Sequence, residues 1–480
     1  MQHENGSNKK THATTSLLLK ARLERRLIRS SGSKRAIDFH IQVEYIAGET
    51  EKQRLPLKLA LVLDRSGSMQ GEKIQTAKSA ALAVIDQLTL RDKVAVVIFD
   101  DRIDVVQELA PATRELKGQL RRSLASIQAR ANTALHEGWL TGCKGLAADV
   151  GLPKEQAVAR CFLLTDGLAN VGITDPEHIA SEAAGIQEHT GISTSTFGIG
   201  NDYNELLLGP MAVAGGGQFH HLRTADEITR TFVGELGSLL AIAARQVRLE
   251  LEVEPGVSID LISAYWESSA KENTLRRSIN IGDLQRNEEQ HVVIRFGFPE
   301  QEHQEQRVVR ARLVWLADDS EKSTDWQEIR FSYASHSACD DEPQDADVMR
   351  QVGLQEVDRA RREAIRQNNR GDLKGARSSL AAAAQAVASY AGSDQVLQDE
   401  IGQLHNIGQQ MASAPMAPGA AKEMYYQQHR RSRSKADYRS KEPEPEKTTE
   451  ATQSEKEPDK KTEPEKKEAE KKKDKKWPWQ

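Results

Sequence analysis

Three cysteines in 480 residues, Cys143, Cys161 and Cys339, are too few and too far apart for a disulfide framework or a zinc site. Their scarcity points mildly to a reducing compartment. Long apolar runs are missing too. Nothing approaches the ~18 uninterrupted apolar residues that a membrane-spanning helix needs. The opening "MQHENGSNKKTHATTSLLLKARLERR" has only "SLLL" where a secretory signal needs a long apolar core. Nor is there an excess of one charge: the formal net charge is -5, from 66 basic and 71 acidic residues, too small for a general attraction to nucleic acid or membrane. These absences set the expectation of a cytoplasmic protein with neither a membrane nor a nucleic-acid partner. They leave its oligomeric state unknown. What is present is a composition 38% hydrophobic and 29% charged, over a length that suits two to four domains.

Residues 1–35 are polar and basic and are expected to form an arm, with local docking of "ARLERRLIR" as the alternative. "IDFHIQVEYIA" (37–47) alternates apolar and polar residues, the pattern of a half-buried strand. Within 36–56 this strand does not share the rhythm of the residues after 57, and it is expected to join a later β module. Between 57 and 235 short apolar runs such as "KLALVLD", "KVAVVIFD" and "ARCFLLTD" alternate with amphipathic stretches. That is the grammar of a mostly parallel sheet covered on both faces. From 245 to 335 period-two alternation returns, which predicts an antiparallel β-sandwich with the α/β unit inserted before its later strands. Residues 345–412 have helical periodicity, broken at "NNRGDLKGA", and read as two or three antiparallel helices. The segment 413–480 is charged, bears prolines and has almost no aliphatic residues, so it is expected to be disordered. Its closing Trp477 and Trp479 are either a short docking peptide or incidental.

Where the apolar run 59–63 ends, the chain places Asp64, Ser66 and Ser68 at every second residue. At the C-terminal end of a central parallel strand such side chains face the crevice where open α/β sheets bind ligands. Their oxygens are hard donors of the kind Mg²⁺ takes. Thr133 in "NTALHEGW" and Asp166 in "CFLLTDGLANVG" are candidates to complete the set, and Asp166 also follows an apolar run. Taken singly, "DRSGSM" is equally a helix N-cap. An aspartyl nucleophile lacks its second carboxylate, since Ser66 stands there. No G-x-S-x-G marks either serine as an esterase nucleophile.

These segments resemble the three parts of the metal-ion-dependent adhesion site in von Willebrand factor type A domains. The resemblance is carried by "LVLDRSGSM", the threonine of "NTALHEGW", and "LLTDGLANVG", and it covers about 57–235. "TFGIGNDYNELLLGPMAVAGGGQFHHL" is similar to the closing strand, loop and edge strand of many bacterial members. The resemblance implies a Rossmann-like, doubly wound sheet with one antiparallel edge strand and a metal on top. Its ligands fall on Asp64, Ser66, Ser68, Thr133 and Asp166, the hydroxyls binding directly and the aspartates often through water. Arg130, Ala131 and Asn132 stand where many relatives have glycines. With its flanking segments the chain resembles bacterial cytoplasmic multidomain proteins built around such a domain.

Other motifs carry bland readings. "AGGGQFHHL" lacks the Lys-Ser/Thr of a phosphate loop, and neighbouring histidines on a strand point to opposite faces, so a turn feeding an edge strand is expected. Asp100 and Asp101 read as a turn between strands, and "RRSRS" as a solvated run. The function expected is a non-enzymatic, Mg²⁺-dependent protein-binding module in an intracellular scaffold, with Mn²⁺ or Ca²⁺ as alternative ions. Its partner would present an acidic side chain to an open coordination position. An accessory subunit of an AAA+ ATPase machine, as in the chelatases that such domains resemble, is a second reading; the chain has no Walker A of its own. A third makes the domain inert and the tail the interaction element.

Overall fold

The computed structural model describes residues 14–46, 54–130, 132–149, 156–268, 275–301, 305–317, 320–433 and 438–439. The chain opens with three strands, β1 (Thr14–Leu23), β2 (Leu27–Arg29) and β3 (Ser33–Ile46). The basic arm expected over 1–35 is therefore corrected for its second half. "SLLLKARL" is a strand with Leu17 and Leu19 turned into a core. Its arginines are balanced by acids more than 300 residues away: Arg22 binds Asp345 and Asp347, and Arg29 binds Asp340. Residues 1–13 lie outside the described residues.

An α/β unit follows: β4 (Leu57–Asp64), α1 (Glu72–Gln87), β5 (Lys93–Phe99), β6 (Ile103–Pro111), α2 (Arg114–Ala125), α3 (Leu135–Ala147) and β7 (Val158–Thr165). It continues with α4 (Pro176–Thr190), β8 (Ile192–Ile199), α5 (Glu205–Ala214), β9 (Gly216–Leu222) and α6 (Ala225–Leu240). The strand order is β6-β5-β4-β7-β8-β9, with β6 antiparallel to β5 and all other pairs parallel. Every residue of β4 is buried because both faces are covered. Leu57, Leu59, Leu61 and Leu63 pack into one core with α1, α2 and α6, while Ala60 and Val62 pack into a second with α3 and α5. The strand order reverses between β4 and β7, the place where a doubly wound sheet opens a crevice.

Eight further strands follow: β10 (Ile242–Val253), β11 (Ser258–Leu261), β12 (Trp266–Ser268), β13 (Arg276–Gln285), β14 (Glu289–Phe298), β15 (Gln306–Ala317), β16 (Ser320–Ser323) and β17 (Gln327–Ala334). One sheet has the order β1-β3-β14-β11 and the other β12-β13-β10-β15-β17-β2, with β16 beside β15. Their inner faces share a core that includes Phe39, Ile41, Leu249, Phe296 and Phe331. The chain is thus a doubly wound α/β unit inserted, between β3 and β10, into a sandwich that is antiparallel except where β17 pairs in parallel with β2. The helices α7 (His336–Asp341), α8 (Ala346–Asn369), α9 (Leu373–Ala391), α10 (Gln395–Ser413) and α11 (Pro418–Ser432) complete the described fold. Val348, Met349 and Val352 of α8 cover Ala36, Ile262 and Val293 of the sandwich.

Helix α11 corrects the expectation that order fails from 413 onward. Tyr425 and Tyr426 enter the α/β core against Phe219, with ring centroids 5.6 and 6.3 Å apart. The sequence has few aliphatic residues here, and its burial is done by tyrosines that a count of aliphatics overlooks. Residues 440–480, with Trp477 and Trp479, lie outside the described residues. No helix among the described residues is long and apolar enough to cross a membrane.

Buried Asp92 ties the entry of β4 to the start of β5. It accepts from both terminal nitrogens of Arg54 at 2.7 and 2.6 Å, from Leu57 N at 3.0 Å and from Thr89 N at 2.7 Å. Burial works to raise its pKa, but these donors outweigh it and hold the carboxyl at about 2. The folded state therefore binds this proton less readily than the unfolded chain, whose Asp titrates at about 3.9. The resulting stabilisation is present above about pH 4 and is lost as pH falls through about 2. Asp92→Asn is expected to cost roughly 2–3 kcal/mol at neutral pH, the scale of hydrogen bonds to a charged group. Urea unfolding of both proteins checks this. The gap in midpoint should narrow on acidification from about pH 4 toward about pH 2, and a gap that does not change with pH refutes the assignment.

Candidate metal centre

Strands β4 and β7 run side by side with Leu63 opposite Leu164, so Asp64 and Asp166 emerge together at the sheet's reversal point. Both are fully buried. Asp64 Oδ1 accepts from Ser66 N at 2.7 Å, and its other oxygen accepts from the hydroxyl of Thr165. Burial pushes the Asp64 carboxyl up to about 6 against the pull of those two donors, and the nearby Asp166 charge adds to the rise. Asp166 Oδ1 accepts from Ser68 Oγ at 2.7 Å, while Oδ2 takes the ammonium of Lys73 from α1. Ser66 Oγ and Ser68 Oγ are 3.2 Å apart.

Gly167 gives a measure of how the hydroxyls converge. A methyl group on it would lie 3.3 Å from Ser68 Oγ, 3.4 Å from Thr133 Oγ1 and 3.7 Å from Ser66 Oγ. All five residues singled out in the sequence therefore meet in one cluster, drawn from three segments. Ser68 is exposed, whereas Ser66 and Thr133 are buried.

Thr133 reaches the cluster because α3 lies unusually close to the sheet. A Cβ on Gly138 would fall 2.6 Å from Phe99 Cγ, and one on Gly142 would fall 2.5 Å from Val62 Cγ2. These two glycines, one turn apart, let the helix settle onto β4 and β5. Ala134 N then donates to Asp100 O at 2.7 Å, and Thr133 N donates to Asn170 Oδ1 at 2.9 Å. Asn170 N returns a bond to Thr133 O at 3.2 Å. Helices α1 and α3 both begin beside the cluster, and neither has a side-chain N-cap.

Around this core stands a set of residues that the sequence pattern does not single out. Arg65 Nε and Arg130 Nε donate to the same oxygen of buried Asp100, at 2.9 and 2.6 Å, and Arg130 N donates to Arg65 O at 2.8 Å. Burial works to raise the Asp100 pKa, but the Arg130, Arg102 and Arg65 contacts hold the carboxyl below its usual range. Asp100 does form the expected turn, accepting from Arg102 N at 2.8 Å, but it also pins the loops of Ser66 and Thr133 to each other. Arg130 thus anchors the loop that leads into Thr133. Lys73, Thr165 and Asn170 carried no signal of their own; only their places within "QGEKIQ" and "LLTDGLANVG" hinted at them.

Among the described residues no group of three or more His, Cys, Asp or Glu is arranged to hold a metal ion. The oxygens gathered here are instead those of two carboxylates and three hydroxyls, all hard donors of a kind that could hold a divalent cation. His220 and His221 point to opposite faces of β9: the first meets Glu235, and the second shares a hydrogen bond with Tyr203.

Comparison with known proteins agrees with this architecture. A family model described as the von Willebrand factor type A domain matches residues 58–233. An uncharacterized protein of Synechocystis, sll0103, is 27% identical over 249 residues, which is 50% of this chain and 57% of that one. The uncharacterized Escherichia coli protein YfbK is 28% identical over 224 residues, covering 45% of this chain and 37% of its own length. The chain therefore spans less than two thirds of either relative. In fold, it is similar to a von Willebrand factor type A protein from Catenulispora acidiphila, with a TM-score of 0.66 at 18% identity over 88% of this chain and 98% of that one. Strand order, crevice and family match lead to one identification: residues 58–233 are a von Willebrand factor type A domain.

Proposed function

We propose that the chain is a divalent-metal-dependent protein-binding module, not an enzyme, acting in an intracellular scaffold. Domains of this family mediate protein–protein interactions. The observation that carries the reading is the convergence of the Ser66, Ser68 and Thr133 hydroxyls beside the buried carboxylates of Asp64 and Asp166. These five residues would hold Mg²⁺, with Mn²⁺ or Ca²⁺ as alternatives. The bound ion would supply a hard positive position that an acidic side chain of a partner protein can complete.

The chain's own groups support this division of labour. Thr165 and the Ser66 backbone hold Asp64 in place, and Asn170 fixes the Thr133 backbone. Ser68 stands at the exposed rim, the side open to a partner. The hydroxyls of Ser66 and Ser68 are engaged with each other and with Asp166 rather than with a histidine base. Lys73 supplies one positive charge to a buried acid that would otherwise lack compensation.

Two results are expected. Asp64→Ala should weaken Mg²⁺ binding by at least about tenfold in calorimetry, about 1.4 kcal/mol. The same substitution, or EDTA, should abolish capture of the partner while leaving the circular dichroism nearly unchanged. Partner capture indifferent to both would defeat the proposal. Lys73→Met removes the tethered ammonium that competes for Asp166, and should tighten Mg²⁺ binding by about fivefold, near 1 kcal/mol. Weaker binding in that variant would show that Lys73 positions Asp166 rather than competing for it.

A further inference from the structure

Away from the metal cluster, helix α8 carries Arg359, Arg362 and Arg366 on one face, at spacings of three and four residues. They border a cavity of about 720 Å³ between α8, α9 and the end of β11, whose lining also includes Ser263, Glu356 and Ala383. Two of the three arginines are neutralised. Arg359 binds both oxygens of Asp260, at 2.9 and 3.1 Å, and Arg366 pairs with Glu363. Arg362 is different. Among the described residues no hydrogen bond or ion pair holds its guanidinium, and its Nη1 is fully enclosed without a partner.

The nearby acids are already committed. Asp358, one turn before Arg362, is held by Arg431 and lies 3.6 Å from Arg361. Glu356 is bound by Arg295 and by the hydroxyl of Tyr390. Burial lowers the Arg362 pKa, with the Asp358 charge only partly opposing it. Arg362 as a whole is partly buried and borders the open cavity, so an anion held there would supply the counter-ion that the chain itself does not. Ser263 Oγ accepts from Val293 N at 2.9 Å, which leaves its own proton free to donate into the same space.

We propose that this cavity binds a small phosphate monoester, its phosphate seated on Arg362 with Arg359 and Arg366 flanking and Ser263 donating. A guanidinium fork matches phosphate oxygens in pairs. Its negative charge offsets that of the one unpaired guanidinium, and its remaining oxygens are left for the flanking donors and for solvent at the cavity mouth. The volume falls within the range of roughly 300–1,000 Å³ usual for small-ligand sites, large enough for a metabolite rather than a bare ion.

The test is calorimetric titration of the full chain with glycerol 3-phosphate at constant ionic strength, with inorganic phosphate and succinate as separate arms. Saturable one-to-one binding of the phosphate ester is expected, with inorganic phosphate weaker and succinate absent. Arg362→Gln should weaken it at least tenfold and Arg362→Lys less, while Asp64→Ala leaves it unchanged. Because Arg362→Gln removes an unpaired charge, its thermal midpoint in phosphate-free buffer should equal or exceed that of the unsubstituted chain. The ester should then raise the midpoint of the unsubstituted chain only. No saturable binding, equal binding by Arg362→Gln, or equal binding of succinate would each overturn the proposal.

Discussion

Two carboxylates buried side by side at the top of adjacent parallel strands are the constraint around which this domain is organised. Asp64 and Asp166 are both withdrawn from water, and burying negative charge is unfavourable unless donors or cations surround it. Each neighbouring feature answers that need. Thr165 and the Ser66 backbone serve Asp64; Ser68 and Lys73 serve Asp166. The rise of the Asp64 pKa to about 6 indicates that its own donors do not fully offset burial. A cluster with residual negative charge and three hydroxyls facing one point is suited to receive a hard cation, which is the physical basis of the proposed function.

Holding that cluster in shape depends on close packing below it. Without the glycines at 138 and 142, α3 would stand off the sheet, and Thr133 would move away with it. Asp100 adds an electrostatic clamp by binding Arg65 and Arg130 at once, joining the two loops that carry the serines and the threonine. The acidic group most useful to the site's geometry is thus one that contributes no oxygen to it.

The α/β domain is also fixed to the rest of the fold by buried arginines. Arg160 of β7 donates to Gly216 O and to Asp283 of β13, and Asp283 also accepts from Gln246 N at the bulge of β10. Arg433, after α11, donates to Gly217 O and Ile281 O, each at 2.8 Å. The Arg160–Asp283 pair and the two bonds of Arg433 join the α/β unit to the sandwich, and such buried charged donors are strong only while every partner stays in place. The domain is therefore presented by a braced frame rather than carried on a loose tether.

The local grammar is already written in the linear chain. Apolar runs buried on both faces marked β4, β5 and β7, period-two alternation marked the sandwich, and "DRSGSM", Thr133 and Asp166 lay at strand ends where a crevice would form. These signals are legible because they depend on spacing within a few residues. Features that depend on partners distant in sequence emerge only on folding. The basic stretch before residue 35 proved to hold strands, since the acids that balance Arg22 and Arg29 lie beyond residue 339. Helix α11 became part of the core through Tyr425 and Tyr426, which have no apolar periodicity to announce them. The roles of Lys73, Asp100, Arg130 and Arg362 follow from which charges are matched after folding and which are not, and a linear chain carries no record of that match.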